Sequence, residues 1–284
     1  MSEKIAGVVI IFNPNPDVLG NIESYLHQVD LLFLFDNSEV ETQYIIKFAK
    51  ENKKIEYLFN GKNLGIGEPI NKAADLSIEN GFKYLLTMDQ DSNAQYNLVR
   101  EQLRIFDLFQ NIAIVSPWII DKNYPVKSNA YVPYEVDYCI TSGCLLNLKA
   151  FQKVGGYNEK LFIDYLDFDL CFRIRESNYK IIKNPQVNIF HSVGQLKNWK
   201  IGPFNFFSTN HPPLRLYYRT RNRLYIRKIY RNQKKFFRKD IIKIVKEIVK
   251  IILVEVNKLE KLKMIVLGYR DFRKNKLGKF ERKI

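Results

Sequence analysis

The stretch Tyr84-Leu85-Leu86-Thr87-Met88-Asp89-Gln90-Asp91-Ser92 decides how this chain is read. It opens as an apolar, strand-like run and stops on two carboxylates one residue apart. The same alternation recurs upstream. Strand-like runs at Gly7 to Phe12, Leu31 to Phe35 and Ile55 to Phe59 alternate with helical patterns at Asp17 to His27, Thr42 to Asn52 and Ile66 to Gly81. That rhythm predicts an α/β fold with a mostly parallel sheet and crossover helices. Ligands of such sheets bind outside the carboxyl ends of the strands, so the polar residues just after each apolar run are expected to carry chemistry. They are Asn13, Asp36-Asn37-Ser38, Asn60-Gly61 and Asp89-Gln90-Asp91.

Beyond Asn97 the rhythm loosens. A helix is expected from Leu98 to Phe109 and a strand from Ile112 to Ser116, followed by a Pro- and Tyr-rich loop to Pro133. A further strand is expected near Tyr138 to Asn147, with a turn at Gly155-Gly156. From Leu214 the pattern is helical and basic, and Ile241, Val245, Ile248, Ile252, Val256, Leu259 and Leu262 form one stripe beside Lys243, Lys246, Lys250 and Lys261. That stripe either packs on its own domain with the lysines wet or lies on a membrane surface.

The chain has 284 residues, 46% apolar and 26% charged, the balance of a soluble globular protein. Its net charge of +15 is unevenly placed. Residues 215–284 hold 24 Lys and Arg against 6 Asp and Glu, whereas residues 1–214 hold 21 against 24. A domain boundary is therefore expected at 213/214, with a basic helical extension over 214–284. Nucleic acid, anionic lipid and an anionic substrate can each use such a tail, but the slightly acidic core carries no nucleic-acid recognition motif, so no nucleic-acid partner is expected. Cys139, Cys144 and Cys171 lack metal-type spacing and leave one thiol over, which favours reduced thiols in a cytosolic setting. No signal peptide is expected before the first strand, and no window offers the ~20 apolar residues of a spanning helix. A cytoplasmic protein, peripheral on the inner membrane face, is expected.

Three elements carry chemistry. Asp89 and Asp91 at a strand end can share a hard divalent cation, which neutralises a departing diphosphate. His191, after the strand-like run Val187 to Phe190 and before Ser192-Val193-Gly194, can complete that cation site. The acidic stretch Asp164-Tyr165-Leu166-Asp167-Phe168-Asp169 reads as a helix with Asp164, Asp167 and Cys171 near one face and Asp169 in reach of Arg173. Asp167 is the candidate general base for removing a hydroxyl proton, with Asp164 as its rival. The loop Asn60 to Gly67, leading into a helix, suits a bound anion. It lacks G-x-x-x-x-G-K-[ST], and no G-x-G-x-x-G follows the first strand, which excludes an NTPase phosphate loop and argues against a dinucleotide dehydrogenase.

The ordered set Ile11-Phe12-Asn13-Pro14, Phe35-Asp36-Asn37-Ser38, Asn60-Gly61-x-Asn63-Leu64-Gly65-Ile66, Met88-Asp89-Gln90-Asp91-Ser92, Thr141-Ser142-Gly143, Asp164-x-x-Asp167 and Phe190-His191-Ser192-Val193-Gly194 resembles the family 2 glycosyltransferases of GT-A fold, a Rossmann-like architecture. It is most similar to bacterial rhamnosyltransferases that build O-antigens and capsules, and the likeness spans roughly residues 5–230. The resemblance implies that Asp36 contacts the nucleotide base, that Asn13, Asn63, Gly65 and Asn71 line the donor pocket, and that Asp89 sits near ribose and diphosphate. It implies Mn²⁺ or Mg²⁺ held by Asp91 and His191 with Asp89, Asp167 as base, and Thr141-Ser142-Gly143 beside the acceptor. Leu166 stands where many relatives place Glu, which keeps Asp164 in contention. The partners implied are a nucleotide diphosphate sugar and a lipid-linked or oligosaccharide acceptor, with dTDP-L-rhamnose the expected donor and a UDP-hexose or UDP-galactofuranose the alternative. Homo-oligomerisation is left open. A non-catalytic scaffold that binds nucleic acid or membrane is the rival from another class.

Overall fold

The computed structural model describes residues 3–121, 126, 128–191, 197–201, 204–208 and 210–282. The elements run β1 (Ile5–Ile11), α1 (Asp17–Leu26), β2 (Leu31–Asp36), α2 (Gln43–Glu51), β3 (Ile55–Phe59), α3 (Gly67–Glu79), β4 (Tyr84–Asp89), β5 (Ser92–Ala94), α4 (Leu98–Leu108), β6 (Ile112–Asp121), β7 (Tyr134–Glu135), β8 (Cys144–Asn147), α5 (Leu148–Lys153), α6 (Leu166–Glu176) and β9 (Lys180–His191). There follow β10 (Lys197–Ile201), β11 (Phe204–Ser208), α7 (Pro213–Ile229), α8 (Lys234–Leu253) and α9 (Lys258–Arg273). They form two compact units, Met1–Phe162 with Leu166–Ser192, and Ile163–Tyr165 with Val193–Ile284.

The first unit is built on one sheet of order β3-β2-β1-β4-β8-β6-β9-β5, with β7 also paired to β9. β1, β2, β3 and β4 run parallel, as their alternation with helices requires, because a right-handed crossover returns each strand in the same direction. β1 and β2 are buried almost throughout, with Val8, Val9, Ile11, Leu32, Phe33 and Leu34 shielded from solvent. Helices cover both faces of a parallel sheet, which is why its strands read as continuous apolar runs. Ile22 and Tyr25 of α1, Ile45 and Phe48 of α2 and Leu98 of α4 pack against this sheet.

Three expectations need correction. β6 continues to Asp121, past the expected end at Ser116, with a register shift between Pro117 and Trp118. Proline has no N–H to give a ladder, which disguised the second half of the strand. The strand expected from Tyr138 begins only at Cys144. The acidic stretch is not one helix: α6 starts at Leu166, while Phe162, Asp164 and Tyr165 adopt φ of 62°, 61° and 67°. Asp164 and Asp167 therefore share no helical face. The expected pair does form, with Arg173 Nη2 2.7 Å from Asp169.

In the second unit α7 packs on α9 at a close crossing, where a Cβ at Gly268 would lie 2.6 Å from the carbonyl oxygen of Tyr217. Polar contacts tie the helices together. Tyr217 Oη donates to Asp271 at 2.7 Å, Arg223 pairs with Asp240 at 3.1 Å, Tyr165 Oη donates to the same carboxylate at 2.7 Å, and Arg219 pairs with Glu247 at 2.6 Å. The expected stripe is not continuous, because the chain leaves helix between α8 and α9 and Asn257 takes φ 55°. Nor does the stripe turn inward. Ile241, Val245, Ile252, Val256 and Leu259 are exposed, while Phe237, Asp240 and Ile251 are the buried residues of α8.

Candidate active site

Strand register assembles the site. Ile11 pairs with Asp36 on one side of β1, and Ile10 pairs with Asp89 on the other, so two carboxylates flank the end of the central strand. Asp91 follows Asp89 in the turn that leads into β5, and Ser92 of β5 pairs antiparallel with His191, the last residue of β9. The neighbouring strand brings Asp121 into register with His191 from its other side. Residues about a hundred positions apart thus meet through the ladder alone.

Asp89, Asp91 and His191 each direct a ligand atom into one group whose atoms lie within 4.8 Å of one another. Asp91 Oδ1 is 3.1 Å from His191 Nδ1. That oxygen is buried, and among the described residues it receives no hydrogen bond of good geometry. Ligand atoms at right angles around an octahedral ion with bonds of ~2.1 Å lie about 3 Å apart, so this spacing fits one hard cation. Burial opposes protonation of His191, but its contact with Asp91 and the charges of Asp91, Asp89 and Asp121 outweigh it and raise the imidazole pKa above its ordinary value. Two carboxylates and an imidazole form a donor set that suits Mn²⁺ or Mg²⁺ and leaves room for oxygens of a ligand.

The loop Thr141-Ser142-Gly143 touches this cluster through one hydroxyl and the candidate base through the other. Ser92 Oγ lies 2.9 Å from His191 Nδ1, Ser142 Oγ donates to Ser92 Oγ at 2.8 Å, and the Asp89 amide donates to Ser142 Oγ at 3.1 Å. The next residue, Thr141, donates its hydroxyl to Asp167 Oδ1 and lies 2.9 Å from Tyr157 Oη. Burial first, and then the Asp167 charge, push the Tyr157 phenol well up, so it stays neutral. Asp167 stands in the first turn of α6, where the helix dipole favours a carboxylate. The loop is held from below, since Gly143 N–H donates to the Thr87 carbonyl and Gln102 donates to the Gly143 carbonyl.

The remaining residues gather at the ends of β1, β2 and β3. Asp36 is fully buried and accepts from Tyr57 Oη at 3.0 Å and from the Ser38 amide at 2.9 Å. Asn13, at φ 44°, donates its amide to Ser38 Oγ at 2.8 Å. Asn37 bonds the Gly65 carbonyl at 2.7 Å, and Asn63 Oδ1 accepts the Gly65 amide at 2.8 Å. Gly65 has φ 81°, and a Cβ there would meet the Phe162 carbonyl oxygen at 2.5 Å, so no other residue fits. Asn71 spends its side chain on Tyr157 N–H and C=O and on Glu159, which anchors α3 to the turn before α6. Asp164 belongs to the second unit, where its two oxygens face Arg215 at 3.2 Å. Ser192-Val193-Gly194 lie outside the described residues.

Three contributors were given no role from sequence. Gln90, between the two aspartates, accepts the Phe12 amide at 2.8 Å and so fixes the turn against the end of β1. Ser92 accepts a hydrogen bond from Ser142, which was expected beside the acceptor, and Asp121 adds charge behind His191. Only Ser92 and Gln90 had a signal, their adjacency to the carboxylates.

Residues 8–168, more than half of the chain, match the family described as Glycosyl transferase family 2. The dTDP-rhamnosyl transferase RfbF of Shigella flexneri is 27% identical over 241 residues, which cover 78% of this chain and 79% of that protein. An uncharacterized glycosyltransferase of Methanocaldococcus jannaschii is 24% identical over 201 residues, covering 63% of this chain and 68% of that one. Among solved structures, S. aureus TarS 1-349 in complex with UDP-GlcNAc superposes with TM-score 0.55 at 12% identity, covering 95% of this chain and 73% of that chain. GalNAc-T7 with UDP, GalNAc and Mn²⁺ does so with TM-score 0.55 at 13% identity, covering 78% of this chain and 47% of that chain. At such identities the superpositions speak to fold alone. With the family matched over residues 8–168, which hold every residue of the site but His191, and the fold shared with these enzymes, the chain belongs to glycosyl transferase family 2 and has the GT-A fold.

Proposed function

We propose that the chain is an inverting, metal-dependent hexosyltransferase that moves L-rhamnose from dTDP-L-rhamnose to a saccharide acceptor of bacterial cell-surface polysaccharide, such as capsule. One observation carries this: Asp89, Asp91 and His191 converge at the strand ends and connect through Ser92, Ser142 and Thr141 to Asp167. The rhamnose assignment draws on the likeness to RfbF.

In this reading the acceptor hydroxyl oxygen attacks the anomeric carbon, and its proton passes to the Asp167 carboxylate. The bond from that carbon to the diphosphate oxygen breaks, and its electron pair stays with the nucleoside diphosphate. The Thr141 hydroxyl, bonded to Asp167 Oδ1, orients the base. Asp91, His191 and Asp89 would hold Mn²⁺ or Mg²⁺, which supplies positive charge to the leaving diphosphate when bound. Asp36, Asn13, Asn63 and Gly65 border the nucleotide, Asn71 positions the α3 end of the pocket, and Thr141-Ser142-Gly143 border the acceptor. Asp164 is the weaker base, since Arg215 occupies its carboxylate. A UDP-sugar donor is the second reading, favoured by the UDP-GlcNAc complex of TarS on the same fold. The acceptor is proposed to be lipid-linked, presented at the inner face of the membrane to an enzyme peripheral on it.

The test is thermal stabilisation by dTDP and UDP, with and without Mn²⁺, since a ligand that binds only the folded chain raises its stability by mass action. Asp91→Ala should lose the Mn²⁺-dependent part of the shift and with it turnover. Asp167→Asn should keep the whole shift while kcat falls by roughly 10²- to 10⁴-fold. Full turnover by Asp91→Ala, or a lost nucleotide shift in Asp167→Asn, contradicts these roles.

A further inference from the structure

We infer that the outer face of α8 docks on the surface of an anionic phospholipid bilayer, with aliphatic side chains entering the headgroup region and a four-cation cleft at its start seating lipid phosphate. The inference rests on the peripheral placement proposed above and names the surface that performs it.

At ~100° per residue, α8 divides into three sectors. Phe237, Asp240, Glu247 and Ile251 form the inner one, where Asp240 and Glu247 are paired with Arg223 and Arg219. Roughly opposite lie Ile241, Ile242, Val245, Val249, Ile252 and Leu253, between 40% and 56% exposed. Along one flank run Lys235, Lys239, Lys243, Lys246 and Lys250. The usual arrangement is reversed: the carboxylates point inward and are neutralised, and the branched aliphatic residues point out. Leaving six such side chains in water forgoes the free energy that burial would return, so the face has the marks of an interaction surface.

The start of the helix adds a second, independent feature. Arg227 in the last turn of α7, Arg231 in the turn that follows, and Lys234 and Arg238 of α8 line a cleft of about 470 Å³, with Phe237 and Ile241 as its apolar walls. Residues 227–239 contain no Asp or Glu, and among the described residues none of the four cations has a carboxylate within salt-bridge distance. Ile241 belongs to both the cleft and the aliphatic stripe, so phosphate-binding and apolar groups adjoin.

Charge decides which partner fits. A second copy of this chain would bring the same row of cations against itself. A nucleic acid would satisfy the cations and leave the aliphatic stripe wet. An anionic bilayer meets both, with phosphates for the cleft and the lysine flank and an acyl boundary for the stripe. No helix among the described residues is long and apolar enough to span a membrane, so α8 would lie in the interface plane.

The experiment is co-sedimentation of the full chain with vesicles of phosphatidylcholine alone and with added phosphatidylglycerol, alongside the nucleotide thermal shift of each variant. Binding is expected only to the anionic vesicles, weakening as salt rises. The exposed pair V245D/V249D and the cleft pair R231E/R238E should each weaken it roughly tenfold or more while leaving the nucleotide shift unchanged. Equal binding to neutral vesicles, or anionic binding untouched by both pairs, overturns the assignment to this face. Self-association abolished by V245D/V249D without vesicle binding overturns it in favour of a second copy. A chain that binds anionic vesicles through α8 but shows no nucleotide shift leaves this inference standing and removes the transferase.

Discussion

His211, next to the start of α7, shows how one residue reports its surroundings. Burial, and then the positive charges of Arg215 and Arg219, hold its pKa down at about 4, against the smaller opposing influence of Asp164 and Glu255. A depressed histidine takes up its proton later in the folded chain than in the unfolded one, so stability is lost as pH falls from the ordinary imidazole value toward about 4. His211→Gln should therefore flatten part of the fall in thermal midpoint over that window and leave the midpoint at pH 8 little changed. An identical pH profile in the variant would show that His211 is not held neutral. Among the proposed site residues, Asp36, Asp89, Asp91 and His191 were legible because each ends an apolar run. Asp121 was not, because Pro117 hid the second half of its strand, and nothing local to Ser142 told of its bond to Ser92.

At the scale of elements, β1 to β4 and their helices were readable to within two or three residues, because a parallel sheet buried on both faces imposes long apolar runs that nothing else explains. The 162–167 stretch was not. Its carboxylates sit at helical spacing, but three non-glycine residues in left-handed conformation precede α6, held by tertiary contacts such as the Asn222 amide on the Ile163 and Asp164 carbonyls. In the tail, periodicity gave helices yet not which face is inner, since buried polar pairs rather than aliphatic residues line much of it. The α7–α9 crossing offers a test. Gly268→Val places a branched side chain against the Tyr217 carbonyl and Thr220, and overpacking of this kind costs about 1–3 kcal/mol. Valine is the better probe, because alanine would recover ~1 kcal/mol of helix propensity over glycine. The urea midpoint should fall, and an unchanged midpoint would mean the helices are not packed this closely.

Across the whole molecule, charge and chemistry are segregated: residues 1–214 carry 21 Lys and Arg against 24 Asp and Glu, and residues 215–284 carry 24 against 6. The cluster of Asp89, Asp91 and His191 proposed to hold a metal lies in the first unit, and the cationic, aliphatic face of α8 lies in the second. A nucleoside diphosphate with Mn²⁺ and an anionic bilayer should then protect different amides from hydrogen exchange, because each suppresses local opening only where it binds. Nucleotide with Mn²⁺ should slow exchange at residues 11–13, 36–38, 63–67 and 89–92 and leave 241–253 as they were. Vesicles should slow 241–253 and spare the strand ends. Because side-chain packing on the inner face of α8 is already made in the free chain, the vesicle effect should be largest toward Ile252 and Leu253, the end farthest from the Arg223–Asp240 pair. Protection of α8 by nucleotide alone, with none at the strand ends, would relocate the nucleotide to the basic tail and make the cations of residues 215–284 the anion site in place of the sheet.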